Sequence, residues 1–230
     1  MTGQDWTTGR KNAGLTQVHA AKALGISQPY LSQLEKGSRT GSPVLEKHAA
    51  AFYRLPPTVL PLPEQQDCVQ VKPDHWQNEL AALGYPGFAH VSSKQKTNPA
   101  AVLFTAVAQR NLDTRLVEAL PWVVCTYSEL DWPWLRDRAK LLNLQNRLAY
   151  IVYLAKEVAG SRSSNKEHMH RWSSWERELE DARLAREDTL CRESMPERER
   201  AWLKAHRPRA ARHWNLLTSL TVEQLPYDAM

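Results

Sequence analysis

"GLTQVHAAKALGISQPYLSQLEKGSR", residues 14–39, decides how the first part of the chain folds. It reads as two short helices set at a steep angle. Thr16 can cap the first, its hydroxyl accepting from a backbone N–H of the opening turn. Ala20, Ala21 and Leu24 give that helix a small apolar face, and small residues let a second helix come close. Gly25 stands where the chain leaves the helix, a position that favours positive φ, and Ile26 plugs the corner. Ser27 caps the second helix, and Pro29 falls in its first turn, where a missing N–H costs little. Leu31 and Leu34 then face inward, which leaves Gln28, Tyr30, Ser32 and Gln33 on the other side.

Those outward residues suit DNA. A helix laid in the major groove presents its N-terminal residues to base edges, and a Gln amide can donate and accept at once to adenine. Positive charge brackets the pair: Arg10 and Lys11 before it, Lys36 and Arg39 after it. Such charges can sit over phosphates and fix register without reading sequence. Backbone N–H groups at the helix N-termini add to the grip. The competing reading is a helix pair used only for packing or for contact with another protein.

On these residues the stretch resembles the helix-turn-helix of the phage-repressor, or XRE/Cro-type, family. The pattern is carried by Gly14 to Gln17, Ala21, Leu24 to Ser27, and Leu31, Ser32, Glu35 and Gly37. The resemblance covers residues 6–60 and implies a lambda-repressor-like domain of five helices that binds operator DNA as a dimer. It implies that Gln17 contacts a phosphate and braces the recognition helix, and that Gln28 and Gln33 read bases. Tyr30 and Ser32 would lie near base or backbone, and Ser27, Lys36, Arg39 and Arg10 would join the DNA-contacting set. Glu35 would be structural, tying the loop that follows. Three features depart from the family pattern. Pro29 stands where a polar reader is common, Thr7, Thr8 and Gly9 are weak helix formers, and "PVLEKHAAAFYRLPPTVL" lacks the usual Gly before the last helix.

The rest of the chain is set by bulk numbers first. At 230 residues, 42% apolar and 24% charged, it matches a globular protein with one large domain or two small ones. The net charge is +5, and residues 1–60 hold seven Lys and Arg against three Asp and Glu, so the excess favours an anionic partner at that end. Cys68, Cys125 and Cys191 are far apart, odd in number and form no C-x-x-C pair, which argues against a disulfide scaffold or zinc ribbon. The first residues lack the apolar core of a signal peptide, and no apolar run is long enough to span a membrane. A cytoplasmic protein is expected.

"RLPPTVLPLPEQQD" carries Pro56, Pro57, Pro61 and Pro63, which break helices and stiffen a linker. The expected division is therefore a DNA-binding domain over 1–60, a Pro-rich linker and connecting segment over 61–97, and a helical domain over 98–230. Asn98 followed by Pro99 reads as a cap with Pro at the first helical position. Pro121 is expected to split the helix around "DTRLVEALPWVVCTY". Leu141, Leu144, Leu148, Ile151, Ala155 and Val158 recur at steps of three and four, so they are expected on one face of one helix, either in the core or as a dimer seam. Residues 161–206 read as one long, ion-paired helix, and the Leu- and Trp-containing tail as docked on the core. Strand-like alternation is scarce, so the fold class is all-α.

Other features are weaker. His168 and His170 in "HMH" point about 200° apart on a helix, so no metal site is expected. No H-E-x-x-H, nucleophile elbow or phosphate-binding glycine loop occurs, so no catalysis and no cofactor are expected. The tryptophans read mainly as core fillers, with an effector pocket as the alternative. Arg198, Arg200, Arg207, Arg209 and Arg212 read as a solvated surface, with nucleic acid as the alternative. The phrases "ALPWVV", "DWPWL" and "LNLQNRL" resemble a bacterial toxin–antitoxin regulator, which implies a repressor of its own operon and a cognate toxin bound by residues 98–230. A small-molecule-responsive regulator and a plain protein-interaction module are the alternatives.

Overall fold

The computed structural model describes residues 1–63, 71, 73–93, 96–161 and 166–226. Its contacts divide the chain into two units, Met1–Glu64 and Gln65–Met230. Cys68, most of the second half of the Pro-rich stretch, and part of "SSKQKTN" lie outside the described residues.

The first unit contains α1 (Gly3–Asn12), α2 (Gln17–Leu24), α3 (Gln28–Glu35) and α4 (Pro43–Phe52), followed by a three-residue 3-10 turn, Pro57–Val59. The fifth helix expected here is only that turn, because Pro61 and Pro63 have no N–H to carry an α-helix beyond it. Helix α1 forms despite its weak residues. Thr2 and Asp5 make a capping box, Thr2 Oγ1 accepting from Asp5 N at 3.3 Å and the Asp5 carboxylate accepting from Thr2 N at 2.7 Å. Gly9 is there for closeness: a Cβ on it would stand 2.8 Å from the Tyr53 ring. At the corner, Gly25 has φ +69°, and Ile26 N donates back to Ala21 O at 3.0 Å. Ser27 Oγ accepts from Tyr30 N to start α3. Trp6, Leu24, Leu31, Leu34 and Tyr53 close over Ala20, Ala21 and Ala49 to form the core. Each large apolar side chain among them contributes about 1.5–3 kcal/mol by leaving water.

The second unit holds α5 (Pro73–Leu83), α6 (Pro99–Val107), α7 (Thr114–Thr126), α8 (Trp132–Leu141), α9 (Gln145–Ser161), α10 (Lys166–Glu180), α11 (Glu197–His206) and α12 (Arg209–His213). Two short strands, β1 (Asp188–Thr189) and β2 (Leu216–Leu217), pair in parallel, a small exception in an all-α fold. Helix α9 is its axis: Leu148, Ala149, Ile151, Val152, Leu154 and Ala155 are completely buried between α7 and α10.

Four expectations change here. Residues 73–93 belong to this unit's core and are not a connector, since Trp76, Leu80 and Tyr85 are buried and Tyr127 Oη donates to Leu83 O. Pro121 sits inside an unbroken α7, where burial of Leu120, Trp122, Val123 and Val124 offsets its cost of about 3 kcal/mol. The face from Leu141 to Val158 is split between two helices. Asn143 turns left-handed at φ +56° between α8 and α9, and Leu141 is left 70% exposed.

The long helix expected over 161–206 stops at Glu180, and residues 162–165 lie outside the described ones. Side-chain hooks draw the chain out of the helix. Gln145 Nε2 donates to Ala182 O, Asn146 bonds both the N–H and the C=O of Leu184, and Asn215 Nδ2 also donates to Leu184 O, all at 2.8–2.9 Å. The tail does dock: Trp214, Leu216, Leu217, Leu220 and Leu225 are buried, and Tyr150 Oη donates to Leu220 O at 2.5 Å. Among the described residues no helix is long and apolar enough to cross a membrane.

Candidate nucleic-acid interface

The first residues of α2 and α3, Gln17 and Gln28, are joined. Gln28 Nε2 donates to Gln17 Oε1 at 2.8 Å, and Gln17 Nε2 donates to Glu35 Oε2 at 2.8 Å. Glu35 in turn receives the Arg10 guanidinium, Nε at 2.5 Å and Nη2 at 3.0 Å, while Arg10 Nη1 donates to Leu15 O at 2.9 Å. Three helices are thus tied by one polar relay running Arg10–Glu35–Gln17–Gln28.

The relay is polarised and largely shielded. The ion pair's side chains are only 14% and 6% exposed. Burial works to raise the Glu35 pKa, but the hydrogen bonds from Arg10 and Gln17 outweigh it and hold the carboxyl below its ordinary value. The hydrogen bonds that Arg10 donates to Glu35 raise its own pKa against its desolvation. Tyr53, beside this pair, is pushed up to about 12 by burial and by the Glu35 charge.

Hydrogen-bond logic decides what is left over. A carboxylate only accepts, so Gln17 must turn its Nε2 to Glu35 and its Oε1 to Gln28. Gln28 then retains its Oε1 and one Nε2–H, an acceptor and a donor side by side on a fixed amide. An adenine edge in the major groove offers the matching N6–H donor and N7 acceptor.

The other sequence-derived positions fall into three groups. Pro29, Gln33 and Lys36 stand at i, i+4 and i+7 and are exposed, so they form the outer ridge of α3. The Gln33 side chain makes no hydrogen bond among the described residues, although its backbone O accepts from Ser38 N and Oγ. Ser32 is half-buried on the Gln28 flank. Tyr30 packs partly on the core and carries the Arg39 guanidinium 5.2 Å above its ring, which holds Arg39 at the surface. Ser27 is exposed as the cap of α3. Arg10 stands apart: Nε, Nη1 and Nη2 each make one bond inside the unit, to Glu35 and to Leu15 O, so it frames the site from within. Glu35 likewise ties α1 and α2 to α3, and not the loop that follows.

Sequence reasoning passed over His19. It lies in the first turn of α2, exposed, with Nδ1 3.1 Å from Thr16 Oγ1. Thr16 Oγ1 also accepts His19 N, so the cap holds both the backbone and the ring of His19 at this terminus. Its place two residues after Gln17 on a capped N-terminus was the available signal. The Ser38–Ser42 loop adds exposed hydroxyls at Ser38, Thr40 and Ser42 next to α3.

Residues 9–52 match the family model described as helix-turn-helix. Comparison with curated proteins and with solved structures gave no match. The family match spans the relay and the whole of α2, α3 and α4, and it supports a DNA-binding transcriptional regulator of the XRE type.

Proposed function

We propose that the chain is a sequence-specific, dimeric repressor that occupies an inverted-repeat operator of its own operon. Gln28 and Gln33 read bases from α3, while Lys36 and Arg39 lie over phosphates. The observation that supports it is the fixed Gln28 amide, with a donor and an acceptor left open at the start of an exposed helix. Pre-organisation of this kind lowers the entropy lost on binding. Dimerisation follows from size: an eight-residue helix contacts only a few base pairs, whereas two copies reach half-sites about 34–36 Å apart. Occupied DNA then excludes polymerase sterically.

The test is a mobility-shift and footprinting series on DNA upstream of the gene. The expected result is a symmetric footprint, with affinity that falls linearly in log–log against salt. Equal binding by protein carrying Gln28→Ala and Gln33→Ala would overturn the reading.

The phrases that resemble a toxin–antitoxin regulator are largely enclosed in the second unit. "ALPWVV" is buried in α7, and Trp132 of "DWPWL" stacks on Trp175 with ring centroids 4.5 Å apart. "LNLQNRL" supplies the hooks Gln145 and Asn146. Internal packing accounts for these residues, and no toxin is assigned to them.

A further inference from the structure

The segment that holds α11 and α12 carries a surface that operator reading by α3 does not use. Residues 198–213 contain six Lys and Arg against one acid, Glu199, so charge in the last third of the chain is segregated although its totals nearly cancel. Glu199 is taken up by Arg192 at 2.6 and 3.0 Å. Arg200 turns inward to Glu193 O and Met195 O, and Arg207 to Leu216 O and the Glu187 carboxylate. Lys204 reaches Glu187 only at 3.9 Å and stays 69% exposed. Arg198, Arg209 and Arg212 are exposed and make no side-chain hydrogen bond or ion pair among the described residues. Other acids at this segment are Glu197, in the first turn of α11, Glu193, which pairs with Arg110 and Arg147, and Glu180, which pairs with His213 and Arg183.

An aromatic group shares a helix face with one of these cations. Arg198, Trp202 and His206 occupy i, i+4 and i+8 of α11 and so share one ridge. Trp202 is 55% exposed, the largest side chain left so open among the described residues. It is nonetheless fixed. His206 stacks on it at 4.8 Å and 16°, and His206 Nδ1 donates to the Trp202 carbonyl at 2.8 Å. A rigid, exposed indole with an unpaired guanidinium one turn away, in a segment that carries two more on α12, has no packing reason in this fold.

We propose that this ridge binds single-stranded nucleic acid, Trp202 stacking on an unpaired base while Arg198, Arg209 and Arg212 hold neighbouring phosphates. The combination selects the ligand. A duplex keeps its base faces enclosed, so it would use the cations and leave the indole idle. An acidic protein would pair with the cations but offers no planar face at a phosphate spacing. Unpaired bases on a phosphate chain use both.

The test is fluorescence anisotropy of short labelled oligo(dT) and oligo(U) with the full chain over a salt series. Binding of either supports the proposal, and their ratio separates DNA from RNA as the source. Trp202→Ala is expected to weaken binding about tenfold, the effect of one stacked base, and Trp202→Phe to restore most of it. Arg209→Ala with Arg212→Ala should flatten the log–log salt slope by about 0.7 per cation removed. All of these side chains are exposed, and unchanged thermal melts confirm the fold of each variant. Duplex operator binding should be unaffected, so failure here is distinct from failure of the operator reading. Three results overturn the proposal: no oligonucleotide binding by the wild type, no effect of Trp202→Ala, or competition by poly-glutamate as strong as by oligo(dT). The last would assign the ridge to an acidic protein.

Discussion

Gln17 sits between Gln28 and Glu35, accepting from the one and donating to the other at 2.8 Å each. The starts of α2 and α3 and the end of α3 are therefore one hydrogen-bonded object. The Glu35 charge, itself fixed by Arg10, sets the direction of every amide in the line. On the proposed reading, recognition by Gln28 therefore depends also on Gln17, Glu35 and Arg10, which fix its amide.

Gln17→Ala removes the acceptor that orients Gln28. The fold is expected to survive, since Gln17 is not part of the apolar core. Operator affinity should fall about tenfold, the worth of one hydrogen bond to a partner with a charge behind it. Discrimination at the base pair read by Gln28 should relax by about 1–3 kcal/mol. Lys36→Ala should weaken all sequences alike and reduce the salt slope by about 0.9. Binding to a panel of single-base operator variants separates the two patterns.

Acid should unlock the relay. The folded-state pKa of Glu35 lies below its ordinary value, because hydrogen bonds from Arg10 and Gln17 outweigh the upward pull of burial. A carboxyl shifted down contributes stability that is complete above its unfolded pKa and is lost as pH falls through the folded one. Glu35→Gln, which leaves Arg10 shielded and unpaired, should cost on the order of 3 kcal/mol at neutral pH. That difference from wild type should shrink as the pH falls below the ordinary Glu range. Urea midpoints of the two proteins across an acid series measure it.

Alkali tests a neighbouring group. Tyr53 Oη is buried with no hydrogen-bond partner among the described residues, and its pKa is pushed up to about 12. A group raised in the folded state contributes stability that is full below its unfolded pKa and lost as pH rises through the folded one. Wild type should therefore weaken between the ordinary tyrosine value, about 10, and about 12, while Tyr53→Phe should not. Near neutrality Tyr53→Phe should be neutral or stabilise by about 1 kcal/mol, because it removes an unpaired hydroxyl. Thermal melts at several pH values decide the matter.

What the sequence made legible was local. Thr16, Ser27 and Asn98 cap helices, Gly25 turns left-handed, and Leu31 and Leu34 face the core, because caps, corners and periods are written within a few residues. The Arg10–Glu35 link spans 25 positions and has no period, so Arg10 read as a phosphate contact and Glu35 as a loop tie. The step pattern from Leu141 onward ran through Asn143 because spacing carries no sign of a left-handed turn. The end of α10 was hidden for a related reason. It is set by Gln145 and Asn146, which reach it from 37 and 38 residues away.

Gly9→Ala should show that closeness, not flexibility, is what this position needs. In an exposed helix interior the change would stabilise by about 1 kcal/mol. Here the new Cβ would meet Tyr53 Cδ2 at 2.8 Å and its Cβ and Cγ at 3.0 Å, all atoms near the root of a buried ring. The sign should reverse, with α1 pushed from Tyr53 and a lower melting temperature. A rise in melting temperature would overturn this account of the α1–Tyr53 contact.

Arg147 is the strongest single test of the second unit. Its side chain is 4% exposed, and its fork grips Asp188 through Nε at 2.7 Å and Nη2 at 2.8 Å. Nη1 donates to Val107 O at 3.1 Å and Gln109 O at 2.9 Å, so one guanidinium joins the end of α6 to β1. Burial acts to lower its pKa, but the Asp188 carboxylate outweighs it and the charge is retained. Arg147→Met leaves a carboxylate and two carbonyls without their donor and should cost about 3–5 kcal/mol. Arg147→Lys keeps the charge but has no planar fork, and one ammonium cannot serve both the carboxylate and the carbonyls, so at least about 2 kcal/mol should still be lost. Asp188→Asn placed on Arg147→Met should recover part of the loss, since it removes the unpaired charge. A double-mutant cycle by urea denaturation reads this as a coupling energy well above the roughly 0.5 kcal/mol of independent sites. Simple additivity would mean that the pair is not the joint between α6 and β1.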